Sequence, residues 1–221
     1  MRCPVAKGSN FERLIATRIS LWWTDGKHDD TIWRSSMSGG RATVRGRQGK
    51  RTAGHAGDLC STDPASAALM RVLVFELKCG YQHVTLNDLI DRPTTAAFQK
   101  DGWDAWVNQA EESKRLSGAA CWVLIHHRSR GKKRTMVYLD ALALENDLPE
   151  VWAALKRDAA SMPSVSVIGS VKTPDGTRRK VAVLALRLDD LVRTRQATPP
   201  LPSILEATKL AARRIWKQTK R

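Results

Sequence analysis

Residues 9–23, SNFERLIATRISLWW, set Phe11, Leu14, Ile15, Ile19 and Trp22 at i, i+3, i+4 spacing, which predicts an amphipathic helix. Ser9 and Glu12 have capping-box spacing, so this helix is expected to start at Ser9. Residues 34–57 are rich in Gly, Ser and Arg and read as a long loop. A short strand is expected around Asp58 and Leu59, then a turn at STDPAS, then a strand over 69–79. Residues 95–117 predict a helix with Trp103, Trp106, Val107 and Ala110 on one face. The apolar segment 119–127 and TMVYLD (135–140) read as further strands. The order α-β-β-α-β-β implies a mixed α/β core. Beyond Asp140, a helix over 149–160 and strands over 165–171 and 180–188 are expected. After the break ATPPLP, residues 203–221 read as a terminal helix with a second capping box, Ser203 and Glu206. No internal repeat is visible. The predicted division is a core over 1–140, a β-containing extension of the same domain over 141–198, and a basic C-terminal helix over 199–221.

One strand breaks the apolar pattern. In VLVFELKCGY (72–81), alternation puts Val72, Val74, Glu76 and Lys78 on one face and Leu73, Phe75 and Leu77 on the other. Buried charges are costly unless they are paired or bind a metal. A simple Glu–Lys pair at a fraying strand end also satisfies this segment taken alone.

The chain has 221 residues and a formal net charge of +15, which points to a polyanionic partner, most simply nucleic acid. The basic residues are spread along the chain, which disfavours a membrane surface as the partner. No apolar run has membrane-spanning length. The N-terminal residues show no signal-peptide pattern, so a cytoplasmic location, in a bacterium or a phage-infected host, is expected. Cys3, Cys60, Cys79 and Cys121 are far apart, which argues against a zinc site or a disulfide framework and leaves them as small core residues. Arg41, Arg45, Arg47, Lys50 and Arg51 make the 34–57 loop either a solvated tether or an arm that orders on a phosphate backbone.

Asp58 and Glu76, on adjacent strands, are expected to converge on one hard cation, with a backbone carbonyl (that of Leu77) and waters completing the shell. Mg²⁺ sites use only one or two carboxylates together with substrate phosphate oxygens. Lys78, on the same face as Glu76, can then hold or help deprotonate the attacking water. Asp63, followed by Pro64, is a second acidic candidate in the connection.

The segments KGSNFERLIA, RSSMSGGR, HAGDL and VLVFELKCGY, in that order, resemble the PD-(D/E)XK nuclease superfamily, and within it the archaeal-type Holliday junction resolvases. The likeness covers about the first 80 residues and continues loosely through the helix containing Gln109. It implies a restriction-endonuclease-like α/β core, a central mixed β-sheet flanked by helices. It implies catalytic residues Glu12, Asp58, Glu76 and Lys78, metal binding at Asp58 and Glu76, and DNA contacts from Arg13, Arg34, Ser36 and Ser38. Gly57 stands where that pattern often has proline, and the chain after Asp140 has no counterpart in it.

Several of these residues have plainer readings. Glu12 also serves as a capping residue, Arg13 as a solvated face, and Ser36, Ser38 and His55 as loop residues. Trp103 and Trp106 read as core. His126 and His127 lie on opposite strand faces, poor geometry for joint ligation. Gln109 and Lys114 are within reach of a phosphate on this reading. Lys132, Lys133, Arg134 and the terminal helix are basic surfaces. Together the expectation is a Mg²⁺-dependent endonuclease, with Mn²⁺ able to substitute, that resolves Holliday junctions as a homodimer. The apolar 119–127 strand and the tryptophan-rich helix supply the candidate interface. The alternatives are a nuclease acting on nicked or linear duplex DNA and a non-catalytic DNA-binding or packaging protein.

Overall fold

The computed structural model describes residues 5–35, 56–91, 96–128, 134–159, 162–193 and 203–219. Helix α1 (Val5–Trp23) precedes β1 (Ile32–Arg34), which pairs antiparallel with β2 (Leu59–Ser61) in a small ribbon. Helix α2 (Pro64–Val72) passes without a loop into β3 (Leu73–Cys79). A 3-10 turn (Leu86–Leu89), α3 (Trp103–Ser117), β4 (Cys121–His127) and β5 (Met136–Asp140) follow. Then come α4 (Ala141–Asp147), α5 (Pro149–Ala159), β6 (Ser164–Lys172), β7 (Arg178–Arg187), α6 (Leu188–Arg193) and α7 (Ile204–Thr219).

The main sheet has five strands in the order β3-β4-β5-β7-β6. β3 and β4 are parallel and α3 makes the crossover between them, while the other pairs are antiparallel. Both faces of the sheet are covered. On one, Leu73, Phe75, Leu77, Val123 and Ile125 pack with α1, α2, α5 and α7. On the other, Val74, Trp122, Leu124 and Tyr138 pack with Trp103, Trp106, Val107 and Ala110 of α3. This double burial explains why β3 and β4 read as nearly continuous apolar runs. The result is the α/β core, a mixed sheet flanked by helices, that the resemblance implies.

The structure corrects several boundaries. α1 begins at Val5, so Ser9 is inside the helix, and its hydroxyl accepts a hydrogen bond from Arg34 Nη1 at 2.6 Å. The buried stripe of α1 runs through Phe11, Ile15, Ile19 and Trp22, leaving Leu14 exposed. With about 100° per residue, Leu14 lies well off the centre of that stripe, whereas Glu12 lies at its edge, next to Ile19. STDPAS is not a turn before a strand. Pro64 opens a helix, the first-turn position at which proline's missing N–H costs nothing, and residues 69–72 are helical. α3 starts at Trp103 and ends at Ser117, followed by Gly118, whose φ of 71° gives a left-handed C-terminal cap. α4 was not foreseen. It is short, and the Asp140 side chain caps it by accepting from the Ala143 N–H at 3.1 Å.

The second capping box is formed as expected. Ser203 N donates to Glu206 Oε2 at 2.9 Å, and Glu206 N donates to Ser203 Oγ at 3.2 Å. The 119–127 strand and the tryptophan-rich helix have no apolar surplus, since Trp103, Trp106 and residues 121–125 are all buried in the core. They do not supply a dimer interface. Cys121 is buried, but Cys60 and Cys79 are only half-buried.

Candidate active site

The period of β3 sends Glu76 to the α3 side of the sheet, together with Val74. There α3 presents Gln109 and Ser113, one turn apart on one helix face. Ser113 Oγ donates to Glu76 Oε1 and Gln109 Nε2 to Glu76 Oε2, each at 2.6 Å. Lys78 Nζ lies 3.8 Å from Glu76 Oε2 and donates to Gln109 Oε1 at 2.6 Å. One amide therefore spans the acid and the base. Gln109 is exposed, with its amide engaged by Glu76 and Lys78, and Lys114 pairs with Asp140 at 3.3 Å.

Asp58 reaches the same place by a different route. It immediately precedes β2, which pairs with β1 and is not a strand of the main sheet. A backbone contact brings it to β3, since Asp58 N donates to Phe75 O at 2.8 Å, while Ser35 N, just after β1, donates to Asp58 O at 2.8 Å. The carboxylate Oδ2 accepts from Leu77 N at 2.7 Å. Gly57 makes this approach possible. Its φ is +83°, and a Cβ there would lie 2.6 Å from Phe75 O and 2.8 Å from Val74 Cγ2. Proline, locked near φ −65°, cannot adopt that conformation, which gives a physical reason for the departure at this position.

The two carboxyl groups are buried, Glu76 at 1% exposure and Asp58 at 8%, and close enough to share a hydrogen bond. Burial raises the pKa of both. Glu76 is pushed up to about 7, by desolvation and then by the Asp58 charge, against the opposing pull of Lys78 and Ser113. For Asp58, burial outweighs Lys78 and the Leu77 N–H. Glu12, on α1, feels the same field, its pKa raised by burial and then by Asp58 while Arg34 lowers it. Arg34 Nε sits 3.2 Å from Glu12 Oε2, so this arginine links α1 to β1.

The structure thus brings together Glu12, Asp58, Glu76, Leu77, Lys78 and Arg34. Arg13 is exposed on α1. Ser36, Ser38, Arg41, Arg45, Arg47, Lys50, Arg51 and His55 lie outside the described residues, as do Lys132 and Lys133. Asp63 is exposed and borders a separate depression with His28, Asp30 and Trp33. His126 is buried with Nε2 3.1 Å from Gly80 O, and His127 Nδ1 is 3.1 Å from Thr135 Oγ1. The supporting role of Gln109 and Ser113 was missed. Its sequence signal is a polar Ser113 on the stripe otherwise made of Trp106, Val107, Ala110 and Leu116.

Among the described residues no group of three or more His, Cys, Asp or Glu side chains forms a metal cage. The donor set is two carboxylates whose mutual repulsion and desolvation a hard divalent cation would relieve. That fits an ion held by few protein ligands and by substrate phosphate oxygens. No helix among the described residues is long and apolar enough to cross a membrane.

No curated protein and no solved structure matches the chain. One protein-family model does, that of the phage putative PDDEXK endonucleases, over residues 5–195. This match spans both carboxylates, Lys78 and the whole main sheet, and the chain belongs to that family.

Proposed function

We propose that this protein is a Mg²⁺-dependent DNA endonuclease that hydrolyses phosphodiester bonds in branched DNA, with the four-way Holliday junction as its substrate. The observation that carries the catalytic part is the Asp58–Glu76 carboxyl pair joined to Lys78 through Gln109. Asp58, Glu76 and the Leu77 carbonyl would hold Mg²⁺, for which Mn²⁺ would substitute. When bound, the ion supplies Lewis-acid polarisation of the scissile phosphate.

The chain's own groups do the rest. Ser113 and Gln109 fix the Glu76 carboxylate, and the Gln109 carbonyl holds the Lys78 ammonium beside Glu76, where it would orient the attacking water. Glu12 adds a carboxylate on the α1 side, and Arg34 sets its orientation. Arg13, Arg34, Ser36, Ser38 and the Arg41, Arg45, Arg47, Lys50, Arg51 arm hold phosphates. The branched-DNA assignment rests on the resemblance to junction resolvases and on the +15 charge. A junction has two equivalent strands to cut, and one chain carries one Asp58/Glu76/Lys78 set. The active form is therefore a homodimer, working in the host cytoplasm.

Cleavage of a four-way junction and of matched nicked and linear duplexes, with Mg²⁺, Mn²⁺ or EDTA, tests the reading. Paired incisions in the junction, lost in EDTA and in Asp58→Asn, support it. Preference for nicked or linear duplex would reassign the substrate. DNA binding with no metal-dependent cleavage would make the protein a binding or packaging factor. Full activity in Asp58→Asn would refute the site. Sedimentation of the junction complex should show two chains.

A further inference from the structure

At the other end of α1 from Glu12 lies a cleft of about 650 Å³ between the α1 C-terminus, α2 and α7. Its floor is made of small side chains, Ala67, Ala68 and Ala212. Arg71 of α2 lays its guanidinium over the indole of Trp216 of α7, 3.8 Å from the ring centroid, and Trp216 is 41% exposed. Lys27, Lys209 and Arg213 add three more cations to the lining. Asp25 is the one acidic residue there, and Lys209 neutralises it at 2.9 Å. The catalytic site uses none of these residues.

We propose that this cleft is a second DNA site, which seats unpaired nucleotides of a single strand. Three features select that occupant. The cleft is concave and, at about 650 Å³, large enough for a nucleobase to enter, whereas paired bases in a duplex keep their faces stacked. The Arg71–Trp216 pair offers a planar cation and an aromatic surface, the combination on which bases stack irrespective of sequence. The excess of Lys and Arg over the single, already paired Asp25 suits a phosphate chain running past the rim. An acidic peptide would satisfy the charge but would leave the planar stack without a role.

The test is binding of a short fluorescein-labelled oligo(dT), followed by anisotropy in EDTA, so that no cleavage occurs and the result is independent of the nuclease reading. Trp216→Ala should weaken oligo(dT) binding roughly tenfold or more, the scale of a lost base–aromatic stack. Trp216→Phe should retain most of the affinity. Arg213→Glu should weaken binding and flatten the dependence of log affinity on log salt. Both positions are solvent-exposed, and circular dichroism of the variants checks that the fold is kept. Unchanged oligo(dT) affinity in Trp216→Ala and Arg213→Glu would overturn the proposal. So would an equal loss of blunt-duplex binding in Trp216→Ala, which would make the cleft a duplex-backbone contact. Self-association that disappears in Trp216→Ala while oligo(dT) binding persists would assign the cleft to a second copy instead.

Discussion

Gln109 Nε2 donates to Glu76 Oε2 at 2.6 Å, and the carbonyl of the same amide accepts from Lys78 at 2.6 Å. The orientation of the amide is thereby dictated from both ends. A carboxylate needs the N–H₂ and an ammonium needs the oxygen. Gln109→Ala should lower the rate of metal-dependent cleavage by about 10–100-fold, the usual cost of losing a partner that orients a metal ligand. Gln109→Glu places a carboxylate against Glu76 and should do no better, since it repairs the contact to Lys78 only by repelling the acid. Single-turnover rates, with the pH profile of each variant, check this. An unaltered rate and profile in Gln109→Ala would remove the residue from the site.

The pH dependence of stability should carry the mark of Glu76. In the metal-free folded protein its carboxyl keeps its proton up to about pH 7, whereas the unfolded chain releases it near 4.5. Between those values the folded state binds more protons, so stability falls as pH rises through this window. Denaturant midpoints measured in EDTA should show the fall, and Glu76→Gln should blunt it. Divalent-cation affinity should run the opposite way, weakening as pH drops below about 7, because the ion competes with that proton. Isothermal titration of the protein with Mn²⁺ at several pH values reads this directly.

Gly57 should be the least replaceable residue beside the site. Gly57→Ala must accept a positive φ and a Cβ crowding Phe75 O, and should cost about 1–3 kcal/mol of stability. Gly57→Pro should be worse, since its ring excludes that conformation altogether. Urea unfolding compares them. The same substitutions should displace Asp58 and depress cleavage beyond the loss of folded protein.

Neutralising Arg41, Arg45, Arg47, Lys50 and Arg51 together should weaken DNA binding and reduce the slope of log affinity against log salt by up to about 0.9 for each phosphate contact removed. An unchanged slope would make the arm a bystander.

The pairing of Glu76 with Lys78 on one face of a buried strand was legible because strand alternation leaves only one arrangement, and the structure has it. Asp58 was legible as a residue but not in its placement. Its route to β3 runs through backbone bonds to Phe75 and Leu77 and through the left-handed Gly57, none of which leaves a side-chain pattern. The helix at Pro64 was hidden because Asp-Pro opens both turns and helices, and only the packing of Leu69 and Met70 into the core decides between them. Leu14 illustrates the same limit. Its spacing fits the helix, but which arc of α1 is buried is set by the sheet it packs on. Gln109 and Ser113 needed α3 to be docked over β3, a long-range fact that helical period alone does not contain.

Helix α1 runs unbroken from Glu12, beside the carboxylates, to Trp23, which borders the Trp216 cleft. Eleven residues at the helical rise put these two ends about 16 Å apart along the axis. Such a rod acts as a ruler. If the proposed cleft seats a strand at Trp216, this helix would set that strand's reach to the carboxylates, and incision would then be placed from a structural landmark in the DNA, with no base sequence having to be read.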